Sequence, residues 1–133
     1  MIALHHIDHV VLTVADVAQT CKFYERVLGC EIIRYTVASG EERTALRIGD
    51  SPQKINLHSA AHPFQPAAQH PNPGSADLCF ITLTPMKEVI AHLHSLQISI
   101  VEGPVQRTGT LGSILSVYIR DPDGNLIEIA NSI

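Results

Sequence analysis

The sequence is poor in charge and in cysteine, and it has no long apolar run. Charged residues make up 17% of the chain and the formal net charge is −4, so a basic surface for nucleic acid or an anionic membrane is not expected. No segment approaches the roughly 20 apolar residues that span a bilayer. The stretch MIALHHIDHVVL also lacks a basic leader. We therefore expect a cytoplasmic protein that acts on small molecules.

The three cysteines, Cys21, Cys30 and Cys79, form no CxxC motif and are odd in number. This pattern argues against a disulfide framework and against a thiolate zinc site. The hydrophobic content of 45% over 133 residues is enough for one core without crosslinks. Of the eight histidines, His92 and His94 fall in a helical stretch, where we expect solvated side chains.

The first half of the chain predicts one strand, one helix and three further strands. Residues 7–14, IDHVVLTV, are rich in β-branched side chains and predict a strand, and Asp16 stands three residues before Gln19 as an N-cap. Apolar residues then recur at helical spacing: Val17, Cys21, Tyr24 and Leu28. Gly29 is suited to end this helix. Further strands are predicted at 31–35, 43–48 and 54–58, with a turn at 49–52.

The second half repeats this order after a proline-rich linker at 60–76. Residues 77–83 predict a strand, and Thr84 with Pro85 predicts an N-cap followed by the first helical residue. Apolar residues continue at helical spacing: Met86, Val89, Ile90, Leu93 and Leu96. Strands are predicted near 98–102, 115–120 and 125–130, the last two joined by the turn at 121–124.

The two halves can be aligned as copies of one pattern. An offset of 68 residues places His9 on Asp77, and an offset of 72 residues places Asn56 on Glu128. The difference between the offsets is small enough to be absorbed in a loop. The pairs His9 with Asp77 and Asn56 with Glu128 are therefore predicted to be equivalent positions.

The opening HIDHVVLTVADVAQTCKFYERVLG and the closing SVYIRDPDGNLIEI resemble the vicinal oxygen chelate superfamily, which includes glyoxalases, bleomycin-resistance proteins and extradiol dioxygenases. The segments QKINLH, HPNPGSADLCFIT and GPVQRTG are similar to small stand-alone glyoxalase-domain proteins. That branch includes glyoxalase domain-containing protein five and some bacterial proteins described as virulence-related or dioxygenase-related. The resemblance covers the whole chain.

This resemblance implies an α+β fold in which two βαβββ modules form an open, cupped mixed sheet. One domain is expected over residues 1–133, with module one at about 5–59, a linker at about 60–76 and module two at about 77–133. A homodimer is also implied, because relatives often complete or cover their site with a second chain.

The resemblance further implies a divalent metal ion held by the first and last strands of each module. His9 matches the histidine ligand of the first strand and Glu128 the glutamate ligand of the last strand, so both are expected on one inner surface. Asn56 and Asp77 fall where metal-binding relatives usually have glutamate or no ligand, and histidine, respectively. One imidazole, two carboxylates and an amide oxygen suit Ni²⁺, Zn²⁺, Mn²⁺, Mg²⁺ or Fe²⁺ without selecting among them.

Each candidate ligand also has a structural interpretation. His9 is suited to a core position with one hydrogen-bonded nitrogen, and Glu128 to the solvent-facing position of an alternating strand. Asp77 can equally close the loop that precedes its strand. Asn56 is the weakest ligand of the four, because its amide oxygen suits only a hard cation.

Three functions are compatible with this pattern. The first is a metal-dependent lyase or isomerase of the glyoxalase type, acting on the hemithioacetal of a ketoaldehyde with glutathione or another thiol, with Glu128 as ligand and base. The second is extradiol cleavage of a catechol by Fe(II), which needs two histidines; His58 supplies the second only in a different strand register. The third is a metal-free binding or resistance module, motivated by Asn56 and Asp77.

Substrate contacts are expected from a glycine-rich loop at 103–112, which could close over the cup. In it, Arg107 and Thr108 are candidates to clamp an anionic substrate, and a solvated surface loop is the alternative. Tyr118, His58 and Lys54 are further candidates to line the cup.

Overall fold

The computed structural model describes residues 1–133 and contains the order βαβββ twice. The first copy consists of β1 (His9–Val14), α1 (Val17–Leu28), β2 (Glu31–Thr36), β3 (Glu42–Arg47) and β4 (Lys54–Ser59). The second consists of β5 (Asp77–Ile81), α2 (Met86–Ser95), β6 (Glu102–Gly109), β7 (Gly112–Arg120) and β8 (Leu126–Ser132). The chain divides into two compact halves, Met1–Pro73 and Gly74–Ile133.

The sheet of the first half has the strand order β1-β4-β3-β2, with β1 parallel to β4 and the other pairs antiparallel. Its helix begins and ends as the sequence predicts. The Asp16 carboxylate accepts a hydrogen bond from the backbone N–H of Gln19 at 3.0 Å, and Gly29 ends the helix with φ of 66°. The predicted caps of α1 are therefore confirmed.

The core of the first half lies between α1 and one face of its sheet, since α1 contacts β2, β3 and β4. The buried side chains are Leu12, Val14, Leu46, Ile55 and Leu57 from the sheet and Cys21, Tyr24 and Val27 from the helix. Because side chains alternate along a strand, the neighbouring residues point to the opposite face. That opposite face carries the polar side chains described below.

The second half has the equivalent order β5-β8-β7-β6, again with a parallel pair between its first and last strands. Its core contains Met86, Val89 and Leu93 from α2 and Val117, Ile119, Ile127 and Ile129 from the sheet. The predicted turn at 121–124 is confirmed, since the N–H of Gly124 donates to the carbonyl of Asp121 at 3.0 Å. Two βαβββ modules with open mixed sheets of four strands are thus confirmed.

The predicted loop at 103–112 is wrong, because most of it is strand β6. Gly103 and Pro104 suggested a loop, but they lie at an irregularity in the β6–β7 ladder between Glu102 and Val105. A bulge on an edge strand tolerates both glycine and proline. The strand predicted near 98–102 is also misplaced, since β6 begins only at Glu102.

The predicted N-cap of α2 is wrong as well. Pro85, with φ of −56° and ψ of 141°, is the N-cap residue rather than the first helical residue, and no side chain caps this helix. Thr84 therefore lies one position too early to cap α2 with its side chain. Neither helix combines the length and the apolar character that crossing a membrane requires.

Candidate functional site

Strand register places the candidate residues of the first half on one face. In the parallel β1–β4 pair, His9 lies opposite Lys54 and Val11 opposite Asn56. Because paired residues share a face and every second residue returns to it, His9, Asn56 and His58 all point to the polar face of this sheet.

The second half repeats this register. In the parallel β5–β8 pair, Asp77 lies opposite Leu126 and Cys79 opposite Glu128. Asn56 and Glu128 therefore occupy the same position of the ladder, as the internal alignment predicts. Asp77 and Glu128 share the polar face of the second sheet, and Asp77 is exposed at the start of its edge strand.

The two imidazoles of the first half lie in different surroundings. His9 is 40% exposed, and its Nδ1 lies 2.7 Å from the carboxylate of Asp8; this hydrogen bond lowers the pKa of Asp8. His58 is half-buried, and its ring meets the ring of Phe64 edge-on at 4.9 Å. Burial, followed by the positive charges of Arg43 and His9, lowers the pKa of His58. The neutral form of the His58 ring is therefore favoured.

Arg43 and Asn56 contain polar atoms that are buried without a partner. The guanidinium carbon of Arg43 lies 3.2 Å from the centre of the Phe64 ring, and its Nη2 lies 3.3 Å from a carboxylate oxygen of Glu41. The Nε of Arg43 and the Oδ1 of Asn56 are both buried, and neither has a hydrogen-bond partner. One donor and one acceptor on this face are thus unsatisfied.

Lys54 reaches across the same face to Tyr35. Its Nζ lies 3.4 Å from the Tyr35 hydroxyl and 4.5 Å from the centre of the Tyr35 ring. Lys54 is half-buried and forms no ion pair. Its charge nevertheless contributes to the lowered pKa of the nearby Asp8 carboxylate.

In the second half, Glu128 accepts two hydrogen bonds from side chains of its own sheet. The hydroxyl of Ser116 donates to Oε2 of Glu128 at 2.5 Å, and the thiol of Cys79 also donates to this carboxylate. Burial, followed by the charge and hydrogen bond of Glu128, raises the pKa of Cys79 to about 11. At neutral pH the thiol is therefore a donor to Glu128 rather than a nucleophile.

Tyr118 lies directly opposite Glu128 in the β7–β8 ladder. The Nε–H of Arg107 donates to the Tyr118 hydroxyl at 3.2 Å. The two terminal nitrogens of Arg107 donate to Glu102 at 3.1 Å and to the carbonyl of Gln106 at 3.2 Å. All three nitrogens of Arg107 are therefore engaged by protein acceptors, and the Tyr118 bond is the main cause that raises the pKa of Arg107.

The other predicted substrate residue of this segment, Thr108, points away from that group. It follows Arg107 in β6 and lies opposite Ser113, so it occupies the other face of the sheet, where it is exposed. The structure thus brings Arg107, Tyr118 and Glu128 to one face and leaves Thr108 on the opposite one.

A family model described as the Glyoxalase/Bleomycin resistance protein/Dioxygenase superfamily matches residues 6–129. The chain belongs to this superfamily. Within it, the chain is 54% identical over 127 residues to the Virulence protein STM3117 of Salmonella typhimurium, covering 96% of this chain and 84% of the relative. It is 44% identical over 130 residues to the Glyoxalase domain-containing protein RDO1 of Mycosarcoma maydis, covering 98% and 70%.

Solved structures of the superfamily give the same fold. The crystal structure of STM3117 superposes with a TM-score of 0.90 at 52% identity, covering 99% of this chain and 100% of that one. An integron cassette protein from the mobile metagenome of V. cholerae gives a TM-score of 0.89 at 47% identity, covering 100% and 99%. The similarity therefore extends over the whole glyoxalase-superfamily fold.

The residues of this glyoxalase-superfamily chain fit a metal ion only in part. The buried, unpaired oxygen of Asn56 and the carboxylate of Glu128 are donors of the kind that hard cations accept. In neither half, however, does the structure gather three or more His, Cys, Asp or Glu side chains that could hold an ion. Neither half by itself therefore provides a complete set of ligands.

Several residues of the site were missed in the sequence. The alternation of β5 and β8 was enough to place Cys79 beside Glu128, because their faces follow from the aligned register. Ser116 could have been found in the same way from β7. Phe64 gave no such signal, since it lies in the proline-rich segment, which forms neither helix nor strand.

Proposed function

We propose that this chain is a metal-dependent lyase or isomerase of the glyoxalase type. Its substrate would be a small oxygen-rich molecule, such as the hemithioacetal of a ketoaldehyde with glutathione or another thiol. The observation that carries this proposal is the carboxylate of Glu128, held by Ser116 and Cys79 on a polar sheet face and placed opposite Tyr118.

The proposed metal ligands are His9 and Glu128, with Asp77 and Asn56 as the weaker pair. A divalent ion bound by such residues, whether Ni²⁺, Zn²⁺, Mn²⁺, Mg²⁺ or Fe²⁺, would polarise two neighbouring oxygens of the substrate. Superfamily membership supports a metal ion, and the unpaired oxygen of Asn56 supports its inclusion among the ligands.

Glu128 is the proposed base that moves a proton between adjacent carbons of the substrate. Hydrogen bonds from Ser116 and Cys79 fix the orientation of the carboxylate, so its free lone pairs keep one direction on the sheet face. The thiol of Cys79 remains protonated, because its pKa is raised to about 11. The two donors therefore orient the base without removing its ability to accept a proton.

Tyr118 is the proposed donor to a substrate oxygen. Because Arg107 donates its Nε–H to the Tyr118 oxygen, the phenolic proton is directed to another acceptor. Arg107 thereby acts through Tyr118 instead of clamping the substrate itself. His58 and Thr108 are further proposed contacts to the substrate. Thr108 is the weaker candidate, because it lies on the opposite face of the sheet from Tyr118.

A Glu128→Gln variant tests this function. With the hemithioacetal of methylglyoxal and glutathione as substrate, we expect kcat for thioester formation to fall about 100-fold or more, the range of a lost acid–base group. Elemental analysis of protein purified without chelator should show a stoichiometric divalent ion that this variant binds less tightly. Glu88→Gln, on the exposed side of α2, is the matched control and should retain full activity. A metal-loaded wild-type protein that forms no thioester contradicts the proposal.

Extradiol cleavage of a catechol is a second candidate, favoured by one observation. His58 and His9 share a sheet face, and the charge of His9 contributes to the lowered pKa of His58. In the observed register His58 pairs with Thr13 while His9 pairs with Lys54, so joint ligation of one Fe(II) ion would require a shift of the strands. The protein should be loaded with Fe(II) without oxygen and then supplied with catechol and oxygen. Oxygen uptake that depends on both histidines would favour this activity over the lyase.

A metal-free binding module is a third candidate, because neither half alone gathers three strong ligands. The absence of any divalent ion in the purified protein, with unchanged binding of small molecules in Glu128→Gln, would favour it. We also propose that the protein is cytoplasmic and that it forms a homodimer. Sedimentation equilibrium of the full chain tests the dimer directly.

A further inference from the structure

A second group of polar side chains lies on the first sheet, over Ala45. Ala45 is fully buried and lies between Asn56 on β4 and Ile33 on β2. Lys54 on β4 contacts Tyr35 on β2, so its side chain must cross β3 to reach it. On β3, Lys54 is paired with Arg47 and Tyr35 is paired with Arg43, and Ala45 lies midway between these two arginines. The Lys54 side chain therefore passes above this small residue.

We name this group the Ala45 subsite and define it by Tyr35, Arg43, Lys54 and Asn56, with Ala45 as its floor. Its charge is positive. Glu41 pairs with the outer nitrogen of Arg43, and no carboxylate pairs with Lys54. Lys54 thus has no close ion pair, although its charge reaches Asp8, whose pKa it helps to lower.

The unsatisfied atoms of the subsite define what it lacks. Buried polar groups nearly always have a partner, so an orphaned donor and an orphaned acceptor on one face indicate a missing molecule. The donor is the Nε–H of Arg43 and the acceptor is the Oδ1 of Asn56. These residues occupy diagonal positions of the β3–β4 ladder, where residues lie about 7–8 Å apart along the backbone. A small molecule with two neighbouring polar groups is therefore large enough to contact both side chains.

We propose that the Ala45 subsite binds a small 2-hydroxy carboxylate. The carboxylate accepts hydrogen bonds from Lys54 and from the Nε–H of Arg43, and the neighbouring hydroxyl donates to the Oδ1 of Asn56. This proposal goes beyond the proposed function, because the lyase substrate proposed above is a hemithioacetal and not a hydroxy acid. It gives the Asn56 oxygen to the bound hydroxy acid and so leaves His9, Glu128 and Asp77 as the proposed metal ligands.

Three related probes test the chemistry on the full chain freed of metal by EDTA. Lactate carries both groups, propionate lacks the hydroxyl, and lactamide lacks the charge. In calorimetric or NMR titrations we expect lactate to bind more tightly than propionate, and at least about tenfold more tightly than lactamide, because charge-assisted hydrogen bonds are the stronger ones. Equal affinity for the three probes, or no binding of lactate, overturns the proposal and leaves water as the partner of the orphaned atoms.

Two variants and a matched control locate the binding. Lys54→Met should weaken lactate binding about tenfold, whereas Asn56→Leu should reduce the affinity for lactate to that for propionate. Lys22→Met is the matched control, because Lys22 is exposed on α1, which packs against the other face of the sheet. A loss in Lys22→Met equal to that in Lys54→Met indicates unspecific attraction and overturns the subsite. Circular dichroism establishes that each variant is folded.

The subsite and the lyase proposal fail separately. Lactate binding is measured without metal and without turnover, so it should be unchanged in Glu128→Gln even if that variant is inactive. If the wild-type protein binds lactate but forms no thioester, the lyase is wrong and the subsite stands. If thioester forms and lactate does not bind, the subsite is wrong and the lyase stands.

Discussion

The two halves of the chain have the same backbone ladder and opposite chemistry on its polar face. In the first half this face carries Lys54 and Arg43 around the neutral amide of Asn56. In the second half the equivalent position is Glu128, a carboxylate that accepts from Ser116. The comparison teaches that the repeat fixes where side chains point, whereas the residue at each position decides whether the face attracts anions or accepts protons.

The halves differ equally in the turn before their last strand. In the second half, the buried carboxylate of Asp121 accepts from the backbone N–H of Asp123 and Asn125 and from the Asn125 side chain. The side chain of Asn125 also accepts from the N–H of Ala76 at 2.9 Å. In the first half, the corresponding turn has one local side-chain bond, from the Gln53 N–H to Ser51. The second turn is therefore the more tightly determined.

The largest expected effect separates these turns. Asn125 is 1% exposed, so Asn125→Ala removes the amide partner of a buried carboxylate and should cost about 2–4 kcal/mol of the free energy of unfolding. Ser51→Ala removes one exposed bond and should cost less than about 1 kcal/mol. Urea denaturation followed by circular dichroism measures both variants. Equal losses of unfolding free energy in the two variants would mean that both turns stabilise the protein to the same extent, which would contradict the difference described here.

The repeat and its register were predictable from sequence, since alternation and helical spacing are local signals. The offsets that align His9 with Asp77 and Asn56 with Glu128 agree with the observed pairing of β1 with β4 and β5 with β8. The edge strand β6 was not predictable in this way. Gly103, the second residue of that strand, is a typical loop residue, and only pairing with β7 makes the segment a strand.

The partners of the candidate site residues were the least predictable part. Arg107 carries the sequence signal of an anion clamp, but its nitrogens are engaged by Tyr118 and Glu102. Arg43 was not predicted as a site residue from the sequence. It stacks on the ring of Phe64, which comes from an irregular segment further along the chain. Long-range contacts of this kind form only in the folded chain, so they cannot be predicted from composition or residue spacing.

A smaller effect compares one thiol from each half. The pKa of both Cys30 and Cys79 is raised to about 11, in Cys30 by burial alone and in Cys79 by burial together with Glu128. Since the thiolate is the reactive form, about one Cys79 in a thousand is reactive at pH 8. Glu128→Gln removes the negative charge and should raise the iodoacetamide rate at Cys79 about tenfold in metal-free protein.

Cys30 is the internal control of that experiment, because no carboxylate contributes to its raised pKa. Peptide mass spectrometry follows the alkylation of each thiol separately in the same sample. If Cys30 accelerates as much as Cys79, the substitution has loosened the whole fold, and the local effect of Glu128 is disproved.

The smallest effect concerns the start of the two helices. The Asp16 side chain caps α1 through the N–H of Gln19, whereas α2 has no side-chain cap. Asp16→Ala should therefore cost about 1 kcal/mol of the free energy of unfolding, and Thr84→Ala only a few tenths. Urea denaturation resolves this difference if the two variants have the same dependence on denaturant as the parent. A larger loss for Thr84→Ala would show that the Thr84 side chain stabilises the second half through a contact other than a cap.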